Sequence, residues 1–191
     1  ESSILVVYND RGVKDIDRSN TYRSILSQKY SNYRIVRGTL ETLDIKSIKE
    51  DMVYYISEGY IARSNFLRIM SESMKDKELA VCGIKVVYPE TMSVDFIYPY
   101  SKKGSNDGVE LLHSCFLYKS DYLKGRGIPE DIDTGKTSFV GQGMVELISN
   151  YIQLLYYERK YEDIIETYSD CNLSEIQYYV AMSYKQLGNF I

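Results

Sequence analysis

Short apolar runs separated by polar turns fill the first three-quarters of the chain. Runs rich in β-branched and aromatic residues predict β-strands, and helical spacing of apolar positions predicts helices near 17–28 and 64–74, with Ser64 or Asn65 as N-cap of the second. This alternation of strands and helices favours an α/β fold with a largely parallel sheet. The predicted strands cover residues 4–8, 33–36, 52–56, 79–87, 95–98 and 111–118.

The pattern changes towards the carboxyl terminus. Residues 101–108 are polar and glycine-containing, which indicates a loop, and the glycines between 125 and 143 indicate an irregular connection. Beyond this point helical spacing dominates, with predicted helices at 144–157, 162–168 and 174–187. We therefore expect two parts, an α/β domain at 1–142 and a helical segment at 143–191.

Charge and hydropathy limit the partners of the chain. It has 191 residues and a formal net charge of −4, without a basic face of the kind that binds phosphate backbones, so we expect no nucleic-acid partner. Uncharged apolar runs are only a few residues long, which predicts no membrane span. The first residues lack the features of a secretory leader, so we expect no signal peptide, and the pattern of cysteines favours reduced thiols in a cytoplasmic protein.

Cysteine and histidine usage narrows the possible chemistry. Cys82, Cys115 and Cys171 are odd in number and far apart, which argues against a disulfide framework and against a cysteine-based zinc site. His113 is the only histidine, so a site with several histidine ligands is excluded and any histidine-based catalysis has to use this residue. The competing interpretation of His113 is a packed or surface histidine on a strand.

The carboxyl-terminal pattern resembles a tetratricopeptide repeat. Residues 176–190 place an aromatic residue, a small residue and a tyrosine before Leu187, Gly188 and Asn189, like the first helix and turn of that repeat, and 154–165 form a looser copy. The resemblance implies a helical hairpin that binds a protein or peptide partner, in an array that continues past residue 191. The alternative is a plain helical cap on the α/β domain.

The amino-terminal part resembles the family 2 glycosyltransferases of the GT-A fold. The similarity spans roughly residues 3–150 and rests on the segments 3–10, 22–36, 52–56 and 116–119. It implies a GT-A-like mixed sheet with flanking helices and a nucleotide-sugar partner. It also places Tyr8, Asn9 and Asp10 near the nucleotide base and Glu58 near the diphosphate, where the family holds Mn²⁺ or Mg²⁺.

The departures from the family pattern fall on its functional positions. The aspartate pair expected after the second strand is absent, and Asp44 is the nearest candidate for nucleotide binding. The Asp-x-Asp metal motif is replaced by Ser57, Glu58 and Gly59, which leaves Glu58 as a lone metal ligand or as a solvated loop residue. Glu146 is the only acidic residue in the stretch that supplies the base.

Two functions remain open at this point. The first is a degenerate glycosyltransferase-like domain that acts as a binding or scaffold module in a glycosylation system. The second is an active, metal-independent glycosyltransferase that moves a sugar from a nucleotide-sugar to a protein or glycan acceptor, with Glu146 or His113 as the catalytic base. Convergence of Glu58, Asp44, Asp10 and Glu146 on one pocket would favour the enzyme.

Overall fold

The computed structural model of the chain centres on one mixed β-sheet. It describes residues 1–88, 93–97, 113–129, 133–147, 152, 155–156, 158–170 and 174–188. The predicted loop at 101–108 lies outside these residues. The strands are β1 (Ile4–Asn9), β2 (Tyr33–Arg37), β3 (Met52–Ser57), β4 (Tyr60–Ala62), β5 (Leu79–Tyr88), β6 (Ser93–Ile97), β7 (Phe116–Lys119) and β8 (Thr137–Leu147).

The strands follow the order β2-β1-β3-β7-β5-β8-β4, and β6 pairs with β5 outside this path. β1 runs parallel to both β2 and β3, and β5 runs parallel to β8. The pairs β3–β7, β5–β7, β4–β8 and β5–β6 are antiparallel. The prediction of a largely parallel sheet was therefore wrong, whereas the mixed sheet with flanking helices implied by the resemblance is confirmed.

Five helices have bounds that lie within the described residues. The two predicted near residues 20 and 70 are present, although Asn65 occupies the N-cap of the second without a capping side-chain hydrogen bond. The last two helices pack against each other. The helices are α1 (Asn20–Leu26), α2 (Phe66–Met74), α3 (Ser120–Arg126), α4 (Tyr161–Tyr168) and α5 (Ser174–Gln186).

Three segments differ from the sequence prediction. Residues 144–147, predicted as the start of a helix, belong to strand β8, where Met144 and Val145 are buried between β5 and β4. Pairing on both sides outweighs the helical spacing of these few residues. Residues 137–143, predicted as an irregular connection, belong to the same strand. His113–Cys115 form a 3₁₀ turn before β7 rather than part of a strand.

The described residues form two hydrophobic clusters. The larger cluster joins the sheet to its flanking helices and includes Tyr8, Phe66 and Tyr118. The smaller cluster belongs to the helical part, and the buried residue that joins it from the α/β part is Val13, in the segment after β1. No helix among the described residues is long and apolar enough to span a membrane.

Candidate functional site

The carboxyl ends of β1 and β3 meet at one edge of the sheet. The two strands are parallel neighbours, and their last residues, Asn9 and Ser57, are register partners. The backbone N–H of Glu58 then donates to the carbonyl of Asn9 at 2.8 Å. Ligands of open α/β sheets bind at such strand ends, so the fold brings the residues expected near a nucleotide and its metal to a suitable place.

The side chain of Glu58 is buried at this edge of the sheet. Glu58 and Gly59 form the turn between β3 and β4, and Glu58 is only 9% exposed. Its Oε2 accepts a hydrogen bond from the Tyr8 hydroxyl at 2.5 Å and another from the Ser19 hydroxyl at 2.7 Å. The interpretation of Glu58 as a solvated loop residue was therefore wrong.

Burial dominates the electrostatics of this cluster. Desolvation raises the pKa of Glu58, an effect that hydrogen bonds from Tyr8 and Ser19 reduce and the nearby charge of Asp10 increases. A hydrogen bond with the Tyr168 side chain also acts to lower the pKa of Glu58. Burial, together with the Glu58 carboxylate, raises the pKa of Tyr8 far above that of an exposed tyrosine. Tyr8 is thus a neutral, permanent hydrogen-bond donor.

The residues at this edge do not fit a divalent cation. Mg²⁺ and Mn²⁺ need several oxygen ligands, and the Glu58 carboxylate is already held by two hydroxyl donors. Across the described ranges, no group of three or more histidine, cysteine, aspartate or glutamate side chains is placed to hold a metal ion. Glu58 acts instead as an internal hydrogen-bond acceptor that ties β1, β3 and the start of α1 together.

Asp10 and Asn9 make local contacts at the same edge. The Asp10 carboxylate pairs with the Arg37 guanidinium from β2 and accepts the backbone N–H of Gly12 at 2.9 Å. Burial acts to raise the pKa of Asp10, but the contacts with Gly12 and Arg37 outweigh it, and the net pKa is lowered. Asn9 donates to the Tyr55 hydroxyl at 2.9 Å. The charge of Asp10 is therefore balanced within the chain.

The other candidates lie on different elements. Asp44 is exposed and precedes a 3₁₀ turn without capping it. Glu146 is on β8, where it pairs in register with Ile61 and Lys85, three strands away from β3. Two of the cavities formed by described residues measure about 300 and 430 Å³, and neither includes Glu58, Asp44, Asp10 or Glu146 in its lining.

His113 is connected to this edge of the sheet through tyrosine side chains. Its Nδ1 shares a hydrogen bond with the Tyr118 hydroxyl at 2.7 Å, and its ring meets the Tyr55 ring edge-on. Since Tyr55 in turn accepts the hydrogen bond from Asn9, one chain of contacts links β1, β3 and β7. Sequence reasoning identified His113 but gave no indication of its tyrosine partners.

The helical part covers the segment that follows β1. The backbone N–H of Lys14 donates to the carbonyl of Thr167 at 2.9 Å, and Arg18 forms ion pairs with Asp163 and Glu166. Tyr168, on the same helix, is the residue that reaches Glu58. The sequence analysis missed Ser19 and Tyr168, the neighbours of Glu58. The position of Ser19 could have been predicted, because a serine before a helical run is typical of an N-cap.

No protein-family model matches this chain, and no curated protein matches its sequence. Among solved structures, the chain is similar to S. aureus TarS 1–349 in complex with UDP, with 9% identity and a TM-score of 0.48 over 98% of this chain and 72% of that chain. For the complex with UDP-GlcNAc the values are 10%, 0.48, 100% and 73%. Similarity to another S. aureus TarS structure covers 44% of that chain. At this identity and TM-score, no activity or ligand is transferred to this chain.

Proposed function

We propose that this chain is a degenerate glycosyltransferase-like domain that acts as a binding or scaffold module and does not transfer sugar. The observation that carries the proposal is the state of Glu58. This residue occupies the middle of the family's metal motif, yet its carboxylate is buried and bonded to Tyr8 and Ser19. A carboxylate engaged in this way is not free to hold a diphosphate-bound cation.

The charge balance at the strand ends supports the same conclusion. Sugar transfer from a nucleotide-sugar requires a positive group to stabilise the departing diphosphate and a base to take the acceptor's proton. Arg37, a cation at this edge, is paired with Asp10. Glu146, the carboxylate expected as base, lies three strands from Glu58 in the sheet order. This arrangement supports a domain that does not transfer sugar.

The helical part supplies the surface for a scaffold role. Helices α4 and α5 form the hairpin that resembles a tetratricopeptide repeat, and such repeats bind peptides or proteins. On α5 the ring of Tyr178 is 59% exposed, and Leu187 follows the helix on the surface. We propose that a protein partner binds to this helix. We also propose that the protein acts in the cytoplasm.

One observation favours the alternative, an active metal-independent glycosyltransferase. His113 is held by Tyr118 and contacts Tyr55, so its ring is oriented as that of a general base needs to be. Tyr55 connects His113 to Asn9, a residue that the family resemblance places near the nucleotide. This alternative requires a nucleotide-sugar to bind at this edge of the sheet.

Thermal unfolding with nucleotides separates the two functions. UDP, UDP-GlcNAc, GDP and CDP are each added with and without Mn²⁺, and the unfolding midpoint is measured. A ligand at about 100 times its Kd stabilises the fold by about 2.7 kcal/mol, which is a visible shift. The scaffold proposal expects no shift. A shift with any of these nucleotides would contradict the proposal and support the enzyme, and sugar transfer would then be compared between the parent and His113→Gln to test the base.

A further inference from the structure

A cavity of about 300 Å³ lies where the α/β part meets the helical part. One wall comes from α1 and the 3₁₀ turn before it, with Arg18, Asn20 and Arg23. The opposite wall comes from α4 and the residue before it, with Lys160, Thr167 and Tyr168. The volume is at the lower end of the range for small-molecule sites, about 300–1,000 Å³. It suits a ligand of the size of a simple metabolite.

Three polar groups that face this cavity have no hydrogen-bond partner among the described residues. The side chain of Thr167 is in a residue only 4% exposed, yet its hydroxyl makes no hydrogen bond with the part of the chain that the structure describes. The same is true of the Asn20 amide and of the terminal nitrogens of Arg23, whose Nε donates to the carbonyl of Asp17 at 2.9 Å. Thr167 is buried, Asn20 is half-buried and Arg23 is exposed, so these groups are open to a molecule that enters the cavity from solvent.

The balance of charges shows what kind of molecule fits. Arg18 is committed to Asp163 and Glu166, and Lys160 is paired with Glu158 at 2.9 Å. Arg23 is the cation of the cavity whose protein acceptor is a neutral carbonyl. Its planar guanidinium matches one phosphate or carboxylate group. The Asn20 amide and the Thr167 hydroxyl both donate and accept, which suits sugar hydroxyls.

We propose that this cavity binds a small molecule that carries one phosphate or carboxylate group and several hydroxyls, such as a phosphorylated or acidic sugar. The anionic group lies on Arg23, and the hydroxyls meet Asn20 and Thr167. Because the two walls belong to different parts of the chain, the bound molecule holds α4 against the start of α1. The site is separate from the edge formed by β1 and β3, and its test does not depend on nucleotide binding.

Titration calorimetry with the full chain tests this site. The probes are glucose 6-phosphate, glucuronate, inorganic phosphate and neutral glucose. We expect glucose 6-phosphate or glucuronate to bind with a Kd in the millimolar range or tighter. Neutral glucose should bind at least about tenfold more weakly than that acidic sugar. Glucose 6-phosphate and glucuronate distinguish a phosphate from a carboxylate as the preferred anionic group.

Three variants connect the binding to the cavity. Arg23→Gln removes the charge and is expected to weaken the sugar-acid binding at least about tenfold, since a charged hydrogen bond is lost. Thr167→Val keeps the shape and removes the hydroxyl, with a smaller loss expected. Arg34→Gln, on the surface of β2, is the matched control and leaves binding unchanged. All four proteins are compared by their unfolding midpoints without ligand, which shows whether they fold.

Two results would overturn the inference. The first is the absence of binding heat with both acidic sugars at about 10 mM, where a millimolar Kd is readily seen. The second is binding that Arg23→Gln and Arg34→Gln alter equally, because the anion would then not lie on Arg23. Nucleotide binding, measured in separate titrations, affects only the proposed function.

Discussion

The hydroxyl of Tyr8 donates a hydrogen bond to the Glu58 carboxylate, with 2.5 Å between the two oxygens. The two residues stand near the ends of neighbouring parallel strands, and both are buried. Ser19 donates to the same carboxylate oxygen from the start of α1. Glu58, which the sequence resemblance aligns with a metal motif, is thus an internal link between two strands and a helix.

Tyr8→Phe is expected to lower the free energy of unfolding by about 1–3 kcal/mol, because it leaves a buried carboxylate with one donor fewer. The ring of Tyr8, which packs against Tyr22, is kept. Urea unfolding at neutral pH measures the effect. Tyr33→Phe is the control, since the Tyr33 hydroxyl donates to the neutral carbonyl of Ile25 at 2.9 Å. If both variants lose the same stability, the carboxylate plays no special part.

Glu58→Gln is expected to change how stability depends on pH. Burial raises the pKa of Glu58 in the folded state, so the native protein holds this proton more tightly than the unfolded chain does. The resulting stabilisation is complete below the usual glutamate pKa of about 4.3 and is lost as pH rises through the raised value. The variant lacks this loss. Its stability relative to the parent should therefore increase from pH 4 to pH 7.

Urea unfolding of both proteins at several pH values provides this comparison, because every other titrating group is common to the two. A stability difference that stays constant with pH would show that the pKa of Glu58 is the same in the folded and unfolded states. The matched control is Glu78→Gln, at an exposed ion pair with Lys136, where a similar increase is not expected.

The sequence predicted the first half of the fold better than the second. Strands β1 and β3 are continuous apolar runs, which local patterning is enough to identify. Residues 144–147 were assigned to a helix because their spacing fits one, and only pairing with β5 and β4 makes them a strand. That pairing joins residues distant in sequence, so a local pattern does not contain it.

The candidate site, like the fold, could be predicted from the sequence only in part. The resemblance assigned Tyr8 to a nucleotide base and Glu58 to a diphosphate, whereas the structure joins their two side chains by a hydrogen bond. Their burial depends on Ser19 and on the helix that carries Tyr168, more than one hundred residues further along the chain. A carboxylate that is exposed in an isolated strand end becomes an internal acceptor only when these elements pack over it.

Gly59→Ala is expected to destabilise the turn between β3 and β4 by about 1–2 kcal/mol, because Gly59 has a φ of +100° that side chains with a Cβ rarely adopt. Gly125→Ala is the matched control. Gly125 lies within helix α3, and an added Cβ there meets nothing within 4 Å. The control should be neutral or stabilising by up to about 1 kcal/mol. Equal losses in the two variants, measured by thermal unfolding, would contradict the assignment of strain to the turn.

Arg18→Ala is expected to loosen the contact between α4 and the segment after β1. Its ion pairs with Asp163 and Glu166 are exposed, and such pairs contribute about 0.2–1 kcal/mol each at low salt. The amide of Lys14, which donates to Thr167 across this contact, should exchange with solvent faster in the variant. High salt should produce the same change in the parent. Arg34→Ala, which breaks an ion pair with Glu50 elsewhere, should leave the Lys14 amide protected.

Ser19→Ala removes a helix cap, a hydrogen bond to Glu58 and a longer contact with the Tyr8 hydroxyl at 3.3 Å, and a double-mutant cycle separates the cap from the contact with Glu58. The Ser19 hydroxyl accepts the backbone N–H of Tyr22 at 3.0 Å as the N-cap of α1, and it donates its proton to Glu58. We expect a loss of about 1–3 kcal/mol for the single variant at neutral pH. In the Glu58→Gln background the charged acceptor is absent, so the loss should fall to that of the cap alone, about 1 kcal/mol. A loss that is unchanged in that background would mean that Ser19 stabilises the helix only, and that Glu58 is held by Tyr8 without it.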